Sequence, residues 1–204
     1  MTIVTADLAM SLDGYIAGRH VTRDDPIGDH GEQLHGWFAG LASWRARQGL
    51  EGGEDNVDSQ IIGEWFDATG AVVMGRTMYD LGETPWGDDP PFKTPVFVLT
   101  HRPRPVVHKD GGTSFTFVGD GIVEAVASAR AVAGDRNVDI AGGADTVRQA
   151  IEAEVLDQLQ IHVVPVLLGG GVRLFDDGGR FRELTPVRVV NGIGAVHLTY
   201  RLRD

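Results

Sequence analysis

Two stretches of this chain place glycine directly after an apolar run and directly before a helix-forming segment. One is Val73-Met74-Gly75-Arg76-Thr77-Met78; the other is Ile140-Ala141-Gly142-Gly143-Ala144-Asp145-Thr146. A glycine at the end of a buried strand lets a ligand approach the backbone closely. The helix start that follows presents free N–H groups and partial positive charge, which suit a phosphate. Arg76 adds a fork-shaped donor for phosphate oxygens, and Thr77 can cap the helix or bond the ligand. A third stretch, Val96-Phe97-Val98-Leu99, runs into Thr100-His101-Arg102. A cationic pair there is placed to hold an adenosine 2′-phosphate, which favours NADPH over NADH. Each motif alone also fits a plain turn with solvated side chains. Neither junction is a GxGxxG fingerprint, and no acidic residue follows at the ribose spacing, so a standard Rossmann domain is disfavoured.

The elements that must position these residues alternate strand with helix, which predicts an α/β sheet. Strands are predicted over 3–12, 71–75, 96–100, 115–118, 138–141 and 158–168. Helices are predicted from Thr77, over 122–132 with Gly134 as the stop, and over 144–154. Val187 to Leu202 divides at Asn191-Gly192-Ile193-Gly194 and reads as a C-terminal β-hairpin. Between Arg19 and Asp58 the ends are rich in Gly and Asp. The middle carries Leu34, Trp37, Phe38, Leu41 and Trp44 at helical spacing, which predicts a packed helix. Asp58 reads as the cap of a second helix with the apolar face Ile61, Ile62, Trp65 and Phe66. No long linker or internal repeat divides the chain, so one domain over 1–204 is expected, with an insertion at about 19–58.

Composition narrows the function classes. The chain has 204 residues, 42% of them hydrophobic, a formal net charge of −11 and no cysteine. Such an acidic chain is a poor partner for nucleic acid. No apolar run is long enough to span a membrane, and the start lacks the basic and small-residue pattern of a signal peptide, so a cytoplasmic protein is expected. Without cysteine there is no thiolate nucleophile and no Cys-based zinc site. His30, Glu32 and His35 invite a metal reading, but the two histidines are five apart and a helix would not set both on one face, so no metal is expected. His162 and His197 lie in apolar strands and read as satisfied core or interface histidines. Ser11 lacks an evident histidine and acid for a hydrolase triad. Gly169-Gly170-Gly171 is followed by Val172-Arg173, not by the Lys-Ser/Thr of a phosphate loop.

Taken as an ordered set, these motifs resemble the dihydrofolate reductase-like proteins. More specifically, they resemble the reductase domain of the bifunctional riboflavin-biosynthesis deaminase–reductase. Ser11-Leu12-Asp13-Gly14-Tyr15-Ile16-Ala17 is similar to that group's first-strand motif. Val164-Pro165-Val166-Leu167-Leu168-Gly169-Gly170-Gly171, with Leu174-Phe175 after it, is similar to its late strand-and-loop motif. The resemblance covers the chain outside about 19–58. It implies a mixed, mostly parallel sheet with flanking helices, NADPH as cofactor, and a homodimer.

By the same resemblance, Gly75, Arg76, Thr77, Thr100, His101 and Arg102 face the adenosine and phosphate half of the cofactor. Ala9, Gly14, Ile16, Gly142, Gly143, Ala144 and Thr146 face the pyrophosphate and nicotinamide half. Asp13, Met78, Val164 and Leu168 line the substrate side. The implied reaction is NADPH-dependent reduction of a small heterocycle of the 5-amino-6-(5-phosphoribosylamino)uracil type. Reduction of dihydrofolate or another pterin, and NADP binding without catalysis, stay open. Dihydrofolate reductases place an acid on the helix after the first strand, and here Asp13, Glu64 and Asp67 are the candidates for a catalytic carboxyl. The linked deaminase of the bifunctional proteins needs a Pro-Cys-x-x-Cys zinc site, so deamination by that route is excluded.

Overall fold

The computed structural model describes residues 2–176 and 178–203. The chain forms two compact units interleaved in sequence, one built chiefly from Ala68–Leu159 and the other from Leu8–Asp67 and Gln160–Leu202. The fold is a mixed, mostly parallel sheet with flanking helices and a C-terminal antiparallel hairpin, as the sequence predicts.

In the first unit, β3 (Thr69–Gly75), β4 (Pro95–Leu99), β6 (Ser114–Val118) and β7 (Asn137–Gly142) pair in parallel in the order β7-β3-β4-β6. The short β5 (Val107–His108) pairs antiparallel with β6. The start of β1 (Val4–Ser11) runs parallel to β7, Val4 opposite Val138. β3 is buried from Thr69 to Met74 without alternation, because a parallel strand covered on both faces needs apolar residues on both. The helices that supply cover are α4 (Arg76–Trp86), α5 (Ile122–Ala133) and α6 (Ala144–Glu152). α5 buries Ile122, Ala125, Val126, Ala129 and Ala133, a helical stripe. It ends at Gly134, whose φ of 68° is the left-handed turn an L side chain resists. Tyr79 of α4 is wholly buried, edge-on to Phe115 and Phe117 with ring centroids 5.0 Å away in each case.

The second unit holds the rest of β1, most of β8 (Gln158–Val164), and the hairpin β10 (Thr185–Asn191) and β11 (Val196–Arg201), in the order β10-β11-β8-β1. A separate antiparallel ribbon joins β2 (Tyr15–Ala17) to β9 (Val172–Arg173). The predicted late strand stops at Val164 and not at Leu168. The predicted helix at 34–44 is three short pieces: a 3-10 turn at Gly31–Leu34, α1 (Gly36–Ala39) and α2 (Ala42–Arg47). Gly36 and Gly40 weaken the helix at each junction, and Leu41 before α2 is extended (φ −72°, ψ 144°). The segment is nonetheless packed: Leu34 and Leu41 are buried, and Trp37, Phe38 and Trp44 lie against Leu41, Ile62 and Phe66. The second helix of the sequence reading is α3 (Val57–Ala68).

Candidate functional site

In the first unit, all four parallel strands end on one edge. Gly75 stands opposite Leu99, Leu99 opposite Val118, and Met74 opposite Gly142. Register therefore brings the two predicted junctions together. A Cβ built on Gly75 would lie 2.5 Å from Thr146 Oγ1, so only glycine lets the start of α4 sit this close to the first turn of α6. The N-cap positions of α4 and α6 are Gly75 and Gly143, and neither helix has a side-chain cap. Their first N–H groups are thus without a side-chain acceptor at a positive helix end. A Cβ at Gly143 would meet nothing within 4 Å, so the backbone there is open to approach. The Gly142–Gly143 peptide is cis.

A third junction on this edge was missed in the sequence. Val118-Gly119-Asp120-Gly121 leads into α5, again with a glycine cap, no side-chain cap and open space above Gly121. Its signal was present: an apolar strand, two glycines and a helix start.

Arg76 opens α4. Its Nε donates to Asp80 Oδ1 at 2.7 Å and its Nη1 to the Arg102 carbonyl at 3.1 Å. The guanidinium also lies over the rings of Phe117 and Tyr79. Thr77 is exposed in the first helical turn. Thr100 is buried, and its hydroxyl accepts the Arg102 N–H at 3.0 Å, fixing the turn that carries His101 and Arg102 outward. Arg104, which the sequence reading passed over, joins this group. It lies over Tyr79 and Phe117 and pairs with Glu83 at 3.4 Å. Three guanidiniums, His101 and two carboxylates, Asp80 and Glu83, therefore gather on α4 and the segment after β4. Burial, with the Glu83 carboxylate bonded to its hydroxyl at 2.5 Å, pushes the Tyr79 phenol up to about 12. Ala144 and Thr146 are buried in the first turn of α6, and Met78 packs on the core of the first unit.

The second unit holds Ala9, Asp13, Gly14, Ile16, Val164 and Leu168. Asp13 is a loop tie. Its carboxylate accepts from Ser11 Oγ at 2.6 Å, Leu168 N at 3.1 Å and Gly169 N at 2.7 Å. The Ser11 hydroxyl foremost, then these two N–H groups, holds its carboxyl below the usual carboxylate range. Gly14 (φ 90°) makes the turn between β1 and β2. The triple glycine is a seat for Arg19, whose guanidinium donates to the Gly169 carbonyl at 2.8 Å and leaves no room for a Cβ on Gly170. Glu64 is exposed and paired with Arg188, and Asp67 is exposed.

The buried acid of α3 is Asp58, 1% exposed. It is not the cap: Asn56 Oδ1 accepts the Ser59 N–H at 3.0 Å and fills that role. Asp58 accepts from His197 Nε2 at 2.8 Å, from Gly194 N at 2.8 Å and from Ile193 N. His197 Nδ1 lies 2.6 Å from His162 Nδ1. Both histidines are core residues, as expected, but they form a chain with a carboxylate that the sequence reading did not foresee. His35 lies near the Gly31 carbonyl, and burial pushes it down. Among the described residues, no group of three or more His, Asp or Glu is placed to hold a metal ion.

The family model of the RibD C-terminal domain matches residues 2–198. The chain belongs to that family. The RibD C-terminal domain architecture recurs in solved structures. A putative riboflavin biosynthesis protein from Shewanella sp. PV-4 superposes with a TM-score of 0.68 at 22% identity, covering 100% of both chains. A deaminase/5-amino-6-(5-phosphoribosylamino)uracil reductase from Thermotoga maritima gives 0.58 at 15% identity, covering 99% of this chain and 57% of that one. Dihydrofolate reductase from Enterococcus faecalis, complexed with NADP(H), gives 0.53 at 14% identity, covering 99% and 97%. These three bear out the fold. The uncharacterized protein YwjB of Bacillus subtilis is 28% identical over 128 residues, 63% of this chain and 68% of that protein. No helix among the described residues is long and apolar enough to cross a membrane.

Proposed function

We propose that this chain is an NADPH-dependent reductase acting on a small heterocycle of the 5-amino-6-(5-phosphoribosylamino)uracil type. The observation that carries the reading is the convergence of two uncapped helix starts, at Gly75 and Gly143, beside Arg76 on one sheet edge. This edge fits a dinucleotide phosphate: both helix starts lack a side-chain cap, the space above Gly143 is open, and the first turn of α4 holds no acid, while that of α6 holds Asp145. Arg76, Arg102 and Arg104 supply cationic donors for the adenosine phosphates, with His101 exposed beside them. Gly142, Gly143, Ala144 and Thr146 set the backbone against the pyrophosphate and nicotinamide. NADPH supplies the hydride; the chain's task is to align the acceptor carbon and exclude water. By family likeness, Ala9, Gly14 and Ile16 attend the nicotinamide, and Asp13, Met78, Val164 and Leu168 the substrate. Asp13 attends it through the loop it ties.

The test is thermal stabilisation followed by turnover. A ligand that binds only the native state raises stability by mass action. NADPH should raise the melting temperature more than NADH does, and the chain should oxidise NADPH when given the phosphoribosylaminouracil. Equal shifts with both cofactors would remove the 2′-phosphate argument, and binding without turnover of any pyrimidine or pterin would leave a nucleotide-binding protein. We further propose a cytoplasmic homodimer. β10 ends its run of paired strands with Val187 and Val189 exposed at 51% and 65%, an edge that a two-fold copy would cover. A monomeric mass by light scattering at micromolar concentration would contradict it.

A further inference from the structure

Four half-buried apolar side chains of the second unit, Ala9, Trp37, Val166 and Leu168, surround the buried Leu34, Val164 and Ala195. β1, the 31–39 segment, the chain after β8 and the hairpin turn each contribute. The group carries no charge, and its one polar side-chain atom is the indole nitrogen of Trp37. That atom is shielded from solvent and has no hydrogen-bond partner among the described residues.

Trp37 is held on several sides. Its ring centroid lies 5.0 Å from that of His162 and 5.4 Å from those of His197 and Phe38. A Cβ on Gly194 would stand 2.6 Å from Trp37 Cβ, so the hairpin turn abuts it. The imidazoles behind it are tied to a carboxylate: His197 Nε2 lies 2.8 Å from Asp58 Oδ1, and His197 Nδ1 lies 2.6 Å from His162 Nδ1. Leu168 is tied from the other end, since its N–H donates to Asp13. The group is a rigid apolar wall whose widest member is an aromatic face.

We propose that Trp37 is a specificity-determining residue of the reductase, forming with Ala9 and Leu168 an apolar wall that takes the uncharged heterocyclic ring of the substrate. The inference rests on the reductase reading, which sets Ala9 and Leu168 on the ligand side. It adds which part of the substrate lies there. A wall without charge has nothing to hold a phosphate, whereas a flat ring gains from lying against indole and leucine. The substrate's phosphate is bound elsewhere, and the wall selects for ring shape.

The experiment uses the full chain loaded with NADPH. The indole N–H resonance of Trp37 is assigned by its loss in Trp37→Phe. It is then followed on addition of the phosphoribosylaminouracil, of dihydrofolate and of ribose 5-phosphate. The Trp37 signal should move with at least one of the two heterocycles and stay in place with ribose 5-phosphate. Trp37→Ala should raise KM for the heterocycle by about tenfold or more, the loss of one ring–aromatic stack, while the Kd for NADPH stays within about twofold. Trp37→Leu, which keeps the wall filled but removes the aromatic face, should behave like Trp37→Ala and serves if the alanine variant does not fold. A Trp37 signal unmoved by millimolar heterocycle, or a wild-type KM in a folded Trp37→Leu, overturns the proposal. A signal that moves without any NADPH oxidation sinks the reductase reading and leaves the wall standing as a heterocycle site.

Discussion

Removing the Arg76 side chain gives the sharpest test of the cofactor edge. Its guanidinium has five N–H donors, of which one goes to Asp80 and one to the Arg102 carbonyl. The remaining donors can meet a phosphate, and the group is already oriented, with its side chain only 21% exposed. A charge-assisted hydrogen bond contributes roughly 1.5–3 kcal/mol. Arg76→Ala should therefore raise the Kd for NADPH by about 10- to 150-fold. The loss should sit toward the upper end, because it also leaves the Asp80 carboxylate, 25% exposed, with Arg102 at 3.7 Å as its one remaining cation partner among the described residues. The double change Arg76→Ala with Asp80→Ala should recover part of the affinity for that reason. Isothermal titration with NADPH and with NADH locates the contact. A 2′-phosphate partner would cost NADPH alone, and a pyrophosphate partner would cost both cofactors. If folded Arg76→Ala binds NADPH within twofold of the parent, Arg76 is a turn residue held by Asp80, and the phosphate argument at α4 fails.

Three further outcomes follow from titratable and buried groups. Asp58→Asn sets an amide N–H₂ against at least one of the donors from His197, Ile193 or Gly194. An unsatisfied buried group costs about 1–3 kcal/mol, or roughly 2–12 °C in Tm for a chain of this size, and an unchanged Tm by calorimetry would contradict the carboxylate's place. The Tyr79 phenol is raised from 10.0 to about 12, so its stabilisation is complete below pH 10 and declines as pH rises toward 12. Phenolate absorbance of the parent minus Tyr79→Phe should show that step near 12, and a step near 10 would mean the phenol is not sealed. Asp13 is held below its ordinary 3.8, so its contribution is present above that pH and lost as pH falls below it. The stability gap between the parent and Asp13→Asn, measured by denaturant titration, should narrow in acid, and a gap independent of pH would remove the Ser11 and backbone bonds from the account.

The cofactor edge was legible in the sequence because its signals are local. Met74-Gly75 and Gly142-Gly143 each announce a strand end and a helix start within a few residues, and parallel pairing then aligns them. The role of Asp13 was not legible, since the N–H groups it ties lie 155 and 156 residues away. The apolar spacing over 34–44 is that of one helix, while Gly36 and Gly40 break the backbone that spacing requires.

The acid on α3 is the instructive case. Glu64 and Asp67 are the helix candidates because they lie on the helix after the first strand, as an acid does in dihydrofolate reductases. The apolar stripe of α3 runs through Ile61, Ile62, Trp65 and Phe66. Extended back one turn at the same i, i+3, i+4 spacing, it lands on Asp58, and Glu64 and Asp67 fall off it. A carboxylate on an apolar stripe must be bonded or be costly, so its burial already calls for donors from another element. The sequence holds such donors in the hairpin, Gly192-Ile193-Gly194 with His197 three residues on. A Cβ on Gly192 would collide with the Asp58 carboxylate, so glycine there is the condition for the turn to close over the acid. Helical phase, not nearness in the chain to the first strand, decides which acid on this helix faces inward.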